Sequence, residues 1–192
     1  MAEHKGLEVM LFPTQAAFRK WLRREGRRSQ GIWIKFAKKG SGHASVTYEE
    51  AREEALANGW IDGLLNSLDD AWFLRRFTPR RPRSKWSRIN REIAEGLITG
   101  GKMMPAGLAE VEAAKADGRW AAAYEPSSTI EVPDDLASAL ARVPKAAAFF
   151  ATLNRTHRYA VLYRIHDAKR AETRARRIAH YVDAFGRGDV GH

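Results

Sequence analysis

Apolar and polar positions change period several times along the chain, and each change predicts an element. Residues 7–12 form a short apolar run, the pattern of a first strand. From Pro13-Thr14 the spacing lengthens. Phe18, Trp21 and Leu22 fall on one helical face, Arg19, Lys20, Arg23 and Arg24 solvate the rest, and Gly26 is the stop. Residues 31–37 return to period two, with Ile32, Ile34 and Phe36 alternating with Trp33 and Lys35. That mixture predicts a strand with both faces at least partly covered. Val46-Thr47-Tyr48-Glu49-Glu50 is the clearest local signal. Thr47 can accept from the Glu50 amide and Glu50 can reach back to the Thr47 amide, with Val46 and Ala51 as a staple pair. This predicts a capped helix running to Asn58 and closed by Gly59. Residues 60–67 and 71–78 read as a hairpin turned through Leu68-Asp69-Asp70. On its second strand Trp72, Leu74 and Arg76 point one way and Phe73, Arg75 and Phe77 the other. Pro79 and Pro82 end the pairing.

The rest reads helical. Ser84 is placed to cap a helix whose stripe is Trp86, Ile89, Ile93 and Leu97, ending at Gly100-Gly101. A helix from Pro105 turns Leu108, Val111 and Ala114 inward and stops at Gly118. Residues 124–129 are polar and rich in breakers, the best boundary in the chain. Beyond it Pro133 opens a helix with Leu136, Leu140 and Val143, and Pro144 restarts the chain into residues 146–150. Asn154 caps a helix carrying Tyr159, Leu162 and Ile165. A last one carries Ala175, Ile178, Val182 and Phe185 and ends at Gly186. The tail, residues 187–192, reads as disordered. The predicted fold is α+β: a small, mainly antiparallel sheet flanked by helices, followed by an all-helical C-terminal module. The expected domains are 7–118 and 133–186, with a linker at 119–132.

Composition narrows the function classes. At 192 residues and 44% hydrophobic, the chain is long enough to bury a proper core. Its formal net charge of +10 favours anionic partners: nucleic acid, phosphates or an anionic surface. There is no cysteine, which excludes disulfide and thiolate chemistry and fits a cytoplasmic location. The first residues lack the apolar core of a secretory signal, and no run approaches the roughly 20 apolar residues of a membrane helix. His4, His43, His157, His166, His180 and His192 include no i, i+4 pair, so no metal site is expected. No dinucleotide fingerprint and no nucleophile elbow are present, and no cofactor is predicted. Lys38-Lys39-Gly40-Ser41-Gly42-His43 hints at a phosphate cradle, but the further Gly-Lys-Ser/Thr of a Walker A is missing; it reads as a plain loop.

The candidate chemistry lies between residues 59 and 92. Arg75, Arg76, Arg80, Arg81, Arg83, Lys85, Arg88 and Arg91 run without an intervening acid, interleaved with Trp72, Phe77 and Trp86. Such a surface attracts anions and stacks on flat groups. The expected anion site combines one strand arginine, the loop at 80–83 and the start of the following helix, with Trp86 more at home in the core than as a stacking wall. Asp62 interrupts an apolar strand beside Trp60, where a charge is costly unless paired. The favoured reading is an ion pair with Arg75, Arg76 or Arg91; the rival makes Asp62 a ligand-facing acid/base, the one weak candidate for a catalytic role.

Gly-Trp-Ile-Asp-Gly from Gly59, followed by Arg-Arg-Phe-Thr-Pro-Arg-Arg-Pro-Arg-Ser-Lys-Trp-Ser-Arg-Ile-Asn-Arg-Glu from Arg75, resembles the YdeI/OmpD-associated (OmdA) family, often labelled bacteriocin-protection proteins. Residues 158–178, with Ala168-Lys169 and Glu172-Thr173-Arg174-Ala175-Arg176-Arg177-Ile178, resemble that family's C-terminal helical module. The resemblance runs from about residue 12 to 188 and implies envelope stress or protection against cationic antimicrobial peptides. It brings no reaction, cofactor or catalytic residue with it. The N-terminal part is also similar to a frataxin-like, YdhG-like α+β family, some members of which are linked to iron delivery. Iron delivery of that kind uses an acidic ridge, and this chain is strongly basic, so no iron site is expected. The expected function is a non-catalytic cytoplasmic binding protein for an anionic small molecule or polyanion. The alternatives are an enzyme acting on a phosphorylated or nucleotide-like substrate, with the arginines as an oxyanion clamp, and a nucleic-acid binder using the basic strip.

Overall fold

The computed structural model describes residues 3–191. Two compact units divide them: residues up to 86 with 90–122, and residues 87–89 with those from 123 on.

The first unit is built on a five-stranded sheet. Its strands are β1 (Glu3–His4), β2 (Leu7–Met10), β3 (Ile32–Ala37), β4 (Trp60–Ser67) and β5 (Trp72–Pro79), in the order β1-β2-β3-β5-β4. Only β2 and β3 pair in parallel, across α1 (Gln15–Glu25), so the sheet is mainly antiparallel as its hairpin pattern predicts. Thr14 caps α1 by accepting from the Ala17 amide at 3.2 Å. The capping box of α2 (Tyr48–Ala57) is complete: Thr47 Oγ1 accepts from the Glu50 amide and Glu50 Oε2 from the Thr47 amide. Phe18 and Leu22 of α1 and Ala51 and Ala55 of α2 pack with Ile32, Ile34, Phe36, Trp60 and Phe77, giving this unit its core.

Two helices depart from the expected boundaries. Ser84 does not cap a helix; its Oγ accepts from the Arg81 amide at 2.9 Å and closes a turn over 81–84. Lys85 and Trp86 therefore precede α3 (Arg88–Thr99), and its buried face is Asn90, Ala94 and Leu97, with Ile89 exposed and Ile93 half-buried. In α4 (Pro105–Ala116) the inward residues are Gly107, Val111 and Ala114, and Leu108 is exposed. A Cβ on Gly107 would lie 2.4 Å from the Ala57 carbonyl oxygen. Close approach to the end of α2 thus selects glycine and rotates Leu108 outward.

The second unit holds α5 (Asp134–Ala141), α6 (Pro144–Thr152), α7 (Arg155–His166) and α8 (Ala171–Gly186). Its core is separate: Leu136, Leu140, Phe150, Leu162, Ile165, Ile178 and Phe185 with their neighbours. Asn154 caps α7 as expected, accepting from the His157 amide at 2.9 Å. Val143 is exposed, and Tyr181 and Ala184 join the buried face of α8. The tail is ordered as far as it is described: the Gly188 and Asp189 amides donate to the Phe185 and Ala184 carbonyls, and Gly191 packs on the Tyr181 ring. His192 lies outside the described residues. No strand lies beyond residue 130 among them, which completes the predicted α+β architecture with a helical C-terminal module.

Candidate functional site

The site begins with an irregularity in β4. Asp62 pairs with Phe77 and Leu65 with Arg75, so Gly63 and Leu64 together oppose Arg76 in a β-bulge. Residues three apart in a regular strand point to opposite faces. The bulge brings Asp62 and Leu65 to one face, the face that carries Phe73, Arg75 and Phe77. There Asp62 Oδ2 accepts two bonds, from Arg75 Nη1 at 2.9 Å and from the Tyr48 hydroxyl at 2.9 Å. Only 20% of the Arg75 side chain and 15% of Asp62 remain exposed. The Arg75 guanidinium also lies over the Tyr48 ring, 4.1 Å from its centroid, and that of Arg52 lies 5.1 Å from it. Burial holds the Tyr48 phenol above its ordinary pKa, and the Asp62 charge adds to this, so Tyr48 stays a hydrogen-bond donor.

Beside this triad opens a cleft of about 680 Å³. Its floor is apolar: Phe36 and Phe73, stacked at 5.1 Å and 16°, with Leu65 at the edge. Its rim is cationic, with Arg75 from the sheet and Lys38 and Lys39 from the loop after β3; His43 of that loop also lines it, and Glu49 is the acid among the lining residues. The loop is anchored at several points. Ser45 Oγ accepts from the Ala37 amide, Lys38 Nζ donates to the Asp69 carbonyl at 2.6 Å, and His43 stacks on Trp72 at 4.8 Å. A concave apolar surface with a few converging polar groups is the usual form of a small-molecule site.

Of the residues singled out in the sequence, Asp62 and Arg75 meet here, as the ion-pair reading predicts. Trp60 and Arg80 line a second cavity of about 540 Å³ with Arg23 and Arg27. Trp60 is buried against Trp21, and the Arg80 guanidinium lies 3.5 Å from the Trp86 ring centroid. Trp86 is itself core, packed edge-on to Trp120 at 4.8 Å. Arg76 points to the opposite sheet face from Arg75. Arg81, Arg83 and Lys85 are exposed and line neither cavity. Arg88 pairs with Glu125 at 2.5 Å and Arg91 with Glu95 at 3.6 Å. Arg75 and Arg80 thus line different cavities, and the turn at 81–84 delays the start of the helix. In the sequence Lys38, Lys39 and His43 read as a plain loop and Tyr48 only as part of a capping signal. The Gly-Ser-Gly between the lysines and His43 was the available signal, but nothing local ties that loop to Arg75.

Among the described residues no group of three or more His, Cys, Asp or Glu side chains is arranged to hold a metal ion. None of their helices is long and apolar enough to cross a membrane.

Fold and cleft together define a basic α+β domain with a cation-rimmed apolar cleft, joined to a helical module. Residues 10–110, which contain the whole cleft, match the family described as Domain of unknown function (DUF8412); the match covers more than half of the 192 residues, and the chain belongs to that family. Residues 129–188, which contain α5 to α8, match the family described as Bacteriocin-protection, YdeI or OmpD-Associated, the one the sequence motifs resemble. No curated protein and no solved structure matches the chain.

Proposed function

We propose that this protein is a non-catalytic, cytoplasmic binding protein for an anionic ligand, serving bacteriocin protection or an envelope stress response. The observation that carries the reading is the cleft, whose lining sets Arg75, Lys38 and Lys39 around an apolar floor with Glu49 the acid among them. The protective role comes from the family matched by residues 129–188. A chain of net charge +10 repels a cationic peptide, so protection by binding is better served by an anionic target than by capture of the peptide. The enzyme reading is disfavoured: Asp62, its acid/base candidate, already accepts from Arg75 and Tyr48 and is held as a structural carboxylate. A polyanion remains the second reading, on the exposed Arg81-Pro82-Arg83 segment.

The test is a thermal-shift screen of nucleotides, sugar phosphates, heparin and duplex DNA, repeated at two salt concentrations. A cleft ligand raises the melting temperature of the wild type, with a shallow salt dependence, and loses its effect in Lys38→Ser/Lys39→Ser. A polyanion on the segment shows a steep salt dependence and responds to Arg81→Ala/Arg83→Ala instead. A wild type stabilised by none of these compounds would rule out the anion-binding reading.

A further inference from the structure

The floor of the cleft is a stack of two rings with the exposed Leu65 at its edge. On the helix-covered face of the sheet, neighbouring strands set Phe36 of β3, Phe73 of β5 and Ser67 of β4 side by side. Phe36 and Phe73 stack with nearly parallel planes, 16° apart, and Tyr48 meets Phe36 edge-on at 81°. Phe36 is fully buried and Phe73 half-buried. Ser67, outside the cleft lining, is exposed and offers only a hydroxymethyl group on the far side of Phe73 from Phe36, so no side chain of the fold continues the stack there. On the same strand face Leu65 is 55% exposed at the cleft edge, a large apolar side chain that nothing in the fold covers. The bulge is what puts Leu65 there, since regular pairing would turn it to the other face.

We propose that the cleft takes a planar aromatic ring bearing an anionic group, the ring laid against Phe73 and Leu65 and the anion met by Arg75, Lys38 and Lys39. This rests on the anion-binding reading and adds the ring. The geometry favours a ring over a sugar or an alkyl chain because the floor is already a stack with a fixed plane, which a further ring continues. The guanidinium and ammonium groups on the rim suit both parts of such a ligand, pairing with the anion and lying over the ring face. Phosphate esters and carboxylates of aromatic rings share this chemistry, and the two are separated in the test.

The experiment is isothermal titration of the full chain with inorganic phosphate, ribose 5-phosphate, phenyl phosphate, benzoate and phenol, with Leu65→Ser and Lys38→Ser/Lys39→Ser as variants. All three positions are at the surface or half-buried, and circular dichroism checks that both variants fold. The expected result is that phenyl phosphate or benzoate binds at least tenfold more tightly than ribose 5-phosphate, inorganic phosphate and phenol. Leu65→Ser should cut that preference several-fold while leaving affinity for inorganic phosphate alone. The lysine variant should weaken every anion. If ribose 5-phosphate binds as tightly as phenyl phosphate, or if Leu65→Ser leaves the preference intact, the ring is wrong and the anion reading survives. If no anion binds, or the lysine variant binds them all like the wild type, the anion reading itself fails.

Discussion

Asp62 is a charge held inside a strand by two donors on one oxygen, and its removal should be felt. Asp62→Asn takes the charge from Arg75 and weakens the acceptor for Tyr48. Breaking a fully buried pair from one side costs about 3–5 kcal/mol. Because 15–20% of each side chain here remains in water, we expect about 1–3 kcal/mol, read as a lower midpoint in urea unfolding. An unchanged midpoint would mean that solvent already screens the pair. Tyr48→Phe removes one neutral donor and should cost about 1 kcal/mol or less. Half of this cluster was legible beforehand. An acid between Ile61 and Gly63 needs a cation, and the charge run supplied three candidates. Tyr48 was not legible: it comes from the first turn of α2, and only the packing of that helix on the sheet brings its hydroxyl to Asp62.

At the scale of elements, local rules worked where the causes are local. Thr47→Ala should cost about 1 kcal/mol, because the box it closes is complete. Strands β2 to β5, the hairpin and the caps at Thr14, Thr47 and Asn154 follow from neighbours within a few residues, whereas β1, two residues long, was not read. The helix at α3 was started too early because the turn at 81–84 and the bond from Arg80 Nη1 to the Lys85 carbonyl keep that segment out of it, and its buried positions are Asn90 and Ala94 rather than Ile89 and Ile93. The bulge in β4 was not read, although Gly63 inside the strand and the adjacent Leu64-Leu65 are its local signs. The clearest test of a tertiary cause is Gly107→Ala. In a free helix interior this change is worth up to about 1 kcal/mol of stability. Here the new methyl would sit 2.4 Å from the Ala57 carbonyl oxygen and 2.7 Å from that of Leu56, so the sign should reverse. We expect a loss of about 1–3 kcal/mol in urea unfolding, the range for overpacking. A neutral or stabilising result would show that α4 does not pack on α2 in this way.

At the scale of the whole molecule, each unit has its own core and the two carry different reporters. The chain's tryptophans, Trp21, Trp33, Trp60, Trp72, Trp86 and Trp120, all belong to the first unit, so their fluorescence follows that unit. Far-ultraviolet circular dichroism also registers the four helices of the second. Within the second unit the Tyr159 pKa is pushed up to about 12 by burial and then by the neighbouring phenols of Tyr124 and Tyr163. Its hydroxyl donates to the Glu125 carbonyl at 3.1 Å. In the unfolded chain Tyr159 ionises near its ordinary value of 10, while in the folded chain it holds its proton to about 12. Between those values the unfolded state binds fewer protons, so stability falls as pH rises. The contribution of Tyr159 is therefore fully present below about pH 10 and lost on the way to about 12. Tyr159→Phe removes both the hydrogen bond and the titration, and a wild-type comparison cancels the other groups that ionise in the same range. The variant should be less stable than wild type at neutral pH by roughly 0.5–1.5 kcal/mol. That gap should close between about pH 10 and about 12 and tend to reverse at the upper end, measured as urea midpoints by circular dichroism. A gap that stays constant across the window would mean that the Tyr159 phenol titrates alike in the folded and unfolded chains.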